Sequence, residues 1–294
     1  AIASLPNSQS QVGRVNKYTA YALLGKVLLY QDKFTEAASA LDNVIGVYSL
    51  VSDYGSQFLR FGENGPESVF EIQYSNQSNW YDWGCAHCSE GNYAIIMNGP
   101  RGWSGPEYAQ GWSFNVPTEE FYNSFEEGDS RRDATVLDIE AFAAATGASY
   151  TEGYDHTGYF NNKYIPRAGE SGGQTELNYL TNFRIIRYSD VLLMAAEAYN
   201  RGGIDDGLAQ EFLNQVRRRA FGGDDNDISA SGSALTDAIW EERKFELSLE
   251  GHRFFDLVRT GQASSLIAGF VEGKHEVFPI PQQEVDISGL TQNA

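Results

Sequence analysis

Four of the five tryptophans, Trp80, Trp83, Trp103 and Trp112, fall in one stretch together with Tyr81, Tyr93 and Tyr108, and glycines surround them at Gly84, Gly99, Gly102, Gly105 and Gly111. Rings carried on short loops do one of two things: they plug gaps between loop and core, or they offer their faces to a ligand. The C–H face of a sugar ring packs against an aromatic ring, while its hydroxyls call for flanking amides, carboxylates or guanidinium groups. Asn76, Gln77, Asn79, Asp82, Asn98 and Arg101 supply those groups nearby. The composition therefore points to a carbohydrate surface, with Trp80, Tyr81, Trp83, Trp103, Tyr108 and Trp112 as candidate ligand-binding residues. Plugging is the competing role for any single ring.

Other chemistry finds less support in the spacing. Cys85, His87 and Cys88 in the run CAHC could ligate a metal, but no second C-x-x-C or H-x-x-x-H completes a four-ligand zinc site. A local disulfide or two free thiols fits better. The acid pairs Glu119-Glu120, Glu126-Glu127 and Asp224-Asp225 contain the carboxylates that glycoside hydrolysis needs, without fixing the separation it requires. Phosphate-binding, dinucleotide-binding, G-x-S-x-G and H-E-x-x-H motifs do not occur. The residues thus suggest no catalytic group, metal or cofactor. With 40 acidic against 21 basic residues the formal charge is −19, which disfavours nucleic acid and anionic lipid headgroups as ligands. No apolar run approaches the roughly 20 residues of a membrane-spanning helix.

The elements that must position the rings lie on either side. Val15 to Ile45 reads as two helices joined at Gln31-Asp32-Lys33, with Tyr21, Leu24, Gly25 and Leu28 facing Phe34, Ala37, Leu41 and Val44. Small residues at Gly25 and Ala37 permit close antiparallel approach, as in a tetratricopeptide unit, although no copy follows at the period of about 34 residues. From Tyr48 to Leu180 helical periodicity lapses. The one strand-like run is Ser68 to Tyr74, and Thr118 to Phe125 and Asp133 to Thr146 are predicted helices. Phe183 to Tyr199 is apolar nearly all round and predicts a buried helix, followed after Arg201-Gly202-Gly203 by a return helix over Leu208 to Ala220. Ala234 to Gly261 reads as one long amphipathic helix with a charged ladder. Glu242, Glu246 and Glu250 step by four, and Glu250, Arg253, Asp256 and Arg259 by three. Arg187, Asp190 and Glu197 on the buried helix are its expected partners, which makes the ladder structural before catalytic. Phe278-Pro279-Ile280-Pro281 opens an extended tail.

In order along the chain stand VPTEEFYNSFEEGDSRRDAT from Val116, RYSDVLLMAAEAYN from Arg187, LNQVRRRA from Leu213, EERKFELSLEGHRFFDLVRTG from Glu241, VFPIPQQEV from Val277 and LTQN from Leu290. Together these segments resemble the SusD/RagB family of outer-membrane nutrient-binding lipoproteins. The resemblance implies a mainly α fold of tetratricopeptide-like hairpins with a large irregular, loop-rich region and minor β. A single domain over 1–294 is expected, comprising a hairpin (1–47), the ligand-binding loops (48–181) and a helical scaffold with its tail (182–294). It further implies non-enzymatic capture of an oligosaccharide, or in some members a peptide, at the cell surface. On the same resemblance the ligand is expected to pass to a SusC-like TonB-dependent transporter, and the membrane is expected to be reached only through an N-terminal lipid anchor outside this chain. Family members are longer, so the chain is expected to be their C-terminal part. The ring residues rest on composition, because the family has no fixed ligand motif. A glycoside hydrolase using paired carboxylates, and a scaffold that binds only protein, are the alternatives.

Overall fold

The computed structural model describes residues 2–77, 83–172 and 177–293. In chain order its regular elements are α1 (Lys17–Tyr30), α2 (Phe34–Leu41), β1 (Ser68–Ile72), α3 (Ala94–Met97), β2 (Arg101–Ser104), α4 (Glu119–Asn123), α5 (Arg131–Thr135), β3 (Val136–Asp138) and α6 (Ile139–Thr146). There follow β4 (Ser149–Thr151), β5 (Tyr159–Asn161), β6 (Phe183–Arg187), α7 (Tyr188–Arg201), α8 (Asp206–Phe221), α9 (Gly232–Glu246), α10 (Arg253–Arg259), α11 (Ala263–Leu266) and α12 (Gln282–Ser288). The molecule is mainly helical, and its strands pair antiparallel in small two-stranded sheets, β1 with β6, β2 with β4 and β3 with β5. No helix among the described residues is long and apolar enough to cross a membrane. The chain forms two compact units, Ala1–Leu249 and Glu250–Ala294.

The first unit is built around α7. Its side chains from Val191 to Ala196 are all inaccessible to solvent, and α8, α2 and α9 pack around it. The helices begin and end where local chemistry says they should. Asn16 Oδ1 accepts the Thr19 N–H at 2.9 Å to start α1, and Asp205 Oδ1 accepts from Gly207 and Leu208 to start α8. Gly222, with φ 77°, stops α8 in the left-handed conformation. In the α1/α2 hairpin, a Cβ on Gly25 would stand 2.5 Å from Leu41 Cγ, so the bare backbone is what lets the helices close.

Several sequence expectations change. Phe183 to Arg187 is strand rather than helix: it alternates faces, with Arg184 and Ile186 buried, and pairs with β1 through Phe70 opposite Ile186 and Glu71 opposite Arg184. The helix expected over Asp133 to Thr146 is divided, because Val136–Asp138 pairs with Tyr159–Asn161. Asp138 then caps α6 by accepting the Ala141 N–H at 2.8 Å, and Gly147 closes that helix at φ 71°. The tail is not wholly extended, since α12 follows Pro281.

The long helix expected over Ala234 to Gly261 is two helices, and the cause is visible at Glu246. Its backbone carbonyl accepts from Tyr54 Oη (2.7 Å), Arg187 Nη2 (2.9 Å) and Lys163 Nζ (3.1 Å), and Lys163 Nζ also reaches the Ser248 carbonyl at 2.8 Å. A carbonyl engaged in this way does not continue the i to i+4 ladder. The chain turns through Leu249 and Gly251, both with positive φ, before α10 begins. In α10 the opposite-sign step survives as Arg259 Nη2 to Asp256 Oδ1 at 2.8 Å.

The ladder on α9 is a buried ion network. Glu246 is fully enclosed and meets Arg219 (2.6 Å), Arg187 (2.9 Å) and Arg131 (3.2 Å). Arg187 and Arg219 share Glu67, and Arg131 and Arg217 share Glu242. Burial alone would raise the Glu246 pKa. The three guanidinium groups outweigh it and hold the carboxyl well below the usual carboxylate range. Of the partners expected from sequence, Arg187 meets Glu246 and Asp190 meets Arg243 at 2.8 Å, whereas Glu197 pairs along its own helix with Arg201. This network ties strand β6, helices α5, α8 and α9 and the segment before β1 into one frame for the intervening loops.

Candidate functional site

On that frame the segment from Gly111 to Phe114 runs beside the end of α3. Gly111 N–H donates to Pro100, Trp112 N–H to Ile96, Ser113 N–H to Gly99 and Phe114 N–H to Met97, at 2.8 to 2.9 Å. The backbones are so close that a Cβ on Gly111 would lie 2.4 Å from Gly99 Cα, which explains the glycines on both sides. Trp112 is thereby half-buried against a cluster of Tyr54, Phe58, Ile95, Ile96, Tyr164 and Tyr179. Ser113 and Asn115 take positive φ of 60° and 52° on either side of Phe114, whose ring is 53% exposed. Left-handed conformations at non-glycine residues need surrounding structure to hold them and recur at ligand sites.

The ring of Trp83 stacks on Trp112 with centroids 5.7 Å apart and planes 29° from parallel, and it is 56% exposed. Trp112 in turn meets the edge of Phe114 at 6.4 Å. Arg101 is exposed beside them: its Nε donates to the Trp112 carbonyl at 2.9 Å, and its guanidinium carbon lies 6.0 Å from the centre of the Phe114 ring. Trp83, Trp112 and Phe114 thus form a continuous aromatic surface edged by a cationic hydrogen-bond donor. Such a surface can stack a flat apolar face and donate to hydroxyl groups at its rim.

The six sequence candidates do not all converge there. Trp83 and Trp112 are brought together. Trp80 and Tyr81 lie outside the described residues, as do Asn79 and Asp82. Trp103 and Tyr108 belong to a separate cluster with Leu137, Ile139, Phe160, Ile165 and Phe142, where the rings of Trp103 and Tyr108 meet edge to face at 5.9 Å. Tyr108 is only 5% exposed, its hydroxyl donates to Asn162 Oδ1, and burial pushes its pKa up, with Glu107 adding to the rise. These two rings fill the loop region. Phe114 was missed because it lies just outside the tryptophan and glycine run, and the left-handed backbone that turns it outward has no sequence signature at Ser113. Asn98 is buried and donates to the carbonyls of Ala94 and Tyr164, so its role is structural.

Cys85 and Cys88 are joined as a disulfide with Cα atoms 5.3 Å apart, which decides between the two states left open by the spacing. Among the described residues, no group of three or more His, Cys, Asp or Glu is placed to hold a metal ion. The acid pairs are drawn elsewhere: Glu126 pairs with Arg217, and Asp224 and Asp225 are exposed in the loop after α8. A cavity of about 280 Å³ near Arg14 and Glu71 has Asn64 engaged with Gln73 and Asn16 with Tyr48. An apolar groove of about 390 Å³ runs along α1 past Leu23, Leu24 and Val27 to Phe70, Ile185 and Ile186.

The arrangement defines a class: a helical scaffold, with tetratricopeptide-like hairpins, that presents an aromatic surface on interposed loops. The chain belongs to the SusD family, whose model matches residues 66–275. It is 30% identical to SusD-like protein P2 of Formosa agariphila over 276 residues, 87% of this chain and 52% of that protein. Among solved structures, a laminarin-binding SusD-like protein is 39% identical with a TM-score of 0.89, covering 99% of this chain and 66% of the other. The surface glycan-binding protein A of Bacteroides thetaiotaomicron, in complex with laminarihexaose, is 32% identical with a TM-score of 0.89, covering 99% of this chain and 67% of the other. The chain therefore spans about half the length of the curated relatives it matches and about two thirds of these solved chains.

Proposed function

We propose that this chain is the ligand-bearing part of a non-enzymatic glycan-binding protein of the bacterial cell surface. The observation that carries the reading is the exposed Trp83–Trp112–Phe114 surface with Arg101 at its edge. The names of the relatives support carbohydrate as the ligand class, and laminarin-type oligosaccharides are the first candidates. Binding requires the ring faces and the guanidinium donor alone; hydrolysis would need two free carboxylates across a cleft, and Glu126 is committed to Arg217. In the same reading the full-length protein is lipid-anchored on the outer face of the outer membrane and passes its ligand to a SusC-like TonB-dependent transporter.

Calorimetry against laminarihexaose, alongside a glycan array, tests the ligand. Saturable binding weakened by Trp83→Ala and by Phe114→Ala supports the proposal. Sugar release by the purified protein, or binding that neither change touches, overturns it. Recovery of a TonB-dependent transporter with the tagged full-length protein from outer membranes tests the partner.

A further inference from the structure

Trp83 is held on an unusual support. It is the first residue of a short 3-10 segment, Trp83–Cys88, that contains the disulfide between Cys85 and Cys88. Cys85 leaves helical geometry at φ −146°, ψ 66°, so the segment bends two residues after the ring. The loop carrying it is tied at its neck. Ser75 N–H donates to the Glu90 carbonyl at 2.9 Å, and Ser89 Oγ donates to the Leu177 carbonyl at 2.8 Å. Gly91 lies against the backbone of Asn178, where a Cβ would come within 2.4 Å of Cα. Trp112, by contrast, is fixed from the scaffold side by its backbone bonds to α3. The two halves of the stacked pair thus reach each other from different supports, and the cross-link lies on the Trp83 side.

We propose that the Cys85–Cys88 disulfide is a positioning element of the ligand surface: it restricts the Trp83 loop to the conformation in which the two indoles stack. The proposal rests on the reading of these rings as the glycan platform. A cross-link removes alternative conformations from the segment it closes. When the binding-competent arrangement is only fractionally populated, the apparent affinity falls by that fraction. Opening the disulfide therefore weakens ligand binding through Trp83, while the core, which lies on α7 and the ion network, stays intact.

The experiment uses four forms of the chain: wild type, Cys85→Ser/Cys88→Ser, Trp83→Ala, and all three changes together. Laminarihexaose affinity is measured by calorimetry and the unfolding midpoint by heating. The expected result is a roughly tenfold weaker affinity for the serine pair with an unchanged midpoint, and no additional loss when the serine pair is added to Trp83→Ala. A ligand-free readout accompanies it. Two stacked indoles give an exciton couplet in circular dichroism, expected in wild type and absent from Trp83→Ala, and reduction of the folded wild type by a phosphine should remove it. That reduction also replaces the serine pair if the variant fails to fold. Wild-type affinity in the serine pair, a couplet that survives reduction, or an equal loss in the presence and absence of Trp83 overturns the positioning role. Undiminished binding by Trp83→Ala overturns the platform itself, and the two failures are thereby distinguished.

Discussion

At the residue scale, the two kinds of aromatic side chain in the loop region should respond to truncation in opposite ways. Trp83→Ala removes a solvent-facing ring and is expected to weaken glycan binding about tenfold or more with little change in unfolding midpoint. Trp103→Ala and Tyr108→Ala empty a packed cluster and are expected to cost about 3–5 kcal/mol of stability, with binding unchanged in the protein that remains folded. Urea unfolding together with calorimetry separates these effects. Glu246 makes a second prediction at this scale. Replacing it removes the anion common to Arg131, Arg187 and Arg219, leaving Arg187 and Arg219 with Glu67 between them, so Glu246→Gln should destabilise by about 3–5 kcal/mol at neutral pH. Its folded pKa lies below the unfolded value of about 4.3, so its contribution is complete above that value and is lost as the pH falls toward the folded pKa. Below about pH 5 the stability of wild type should therefore decline more steeply than that of Glu246→Gln. Equal slopes in urea titrations would remove the network from this role.

At the element scale, the α1/α2 hairpin depends on the absence of a side chain at Gly25. Gly25→Val would drive methyl groups into Leu41 and is expected to cost about 1–3 kcal/mol, with partial recovery on adding Leu41→Ala. Denaturant midpoints for the two single variants and the double variant check the coupling, and independent, additive losses would contradict it. Helix α9 illustrates why an element can be recognised in sequence while its end is not. Its apolar and charged spacing continues past Glu246 and reads as one helix to Gly261. The helix stops because Tyr54, Lys163 and Arg187, all distant in sequence, converge on one carbonyl.

At the scale of the whole molecule, the formal charge of −19 makes ionic strength a discriminating variable. A neutral oligosaccharide held by stacking and hydrogen bonds should bind with less than about a twofold change in Kd between roughly 20 mM and 500 mM salt. A charged ligand would show a steep dependence in the same calorimetric series, because screening acts on net charge and leaves stacking almost untouched.

Local pattern carried much of the architecture. The α1/α2 hairpin, the buried α7 with its return helix α8, the Thr118 cap of α4 and the glycine stops all follow from spacing and capping within a turn or two of chain. The long motifs around Arg187, Leu213 and Glu241, which carry the buried arginines and glutamates of the scaffold, resemble the family. Tertiary structure decided what depends on partners far along the chain. Phe183–Arg187 is strand because β1 lies beside it, and Glu246 has three guanidinium partners because α5, β6 and α8 meet there. It also decided which rings face solvent. Trp83, Trp103, Tyr108 and Trp112 share one composition and one loop-rich context, yet a ring's exposure is set by which remote segment packs against it. Trp103 and Tyr108 found Phe142 and Phe160, and Trp83 was left facing solvent across Trp112.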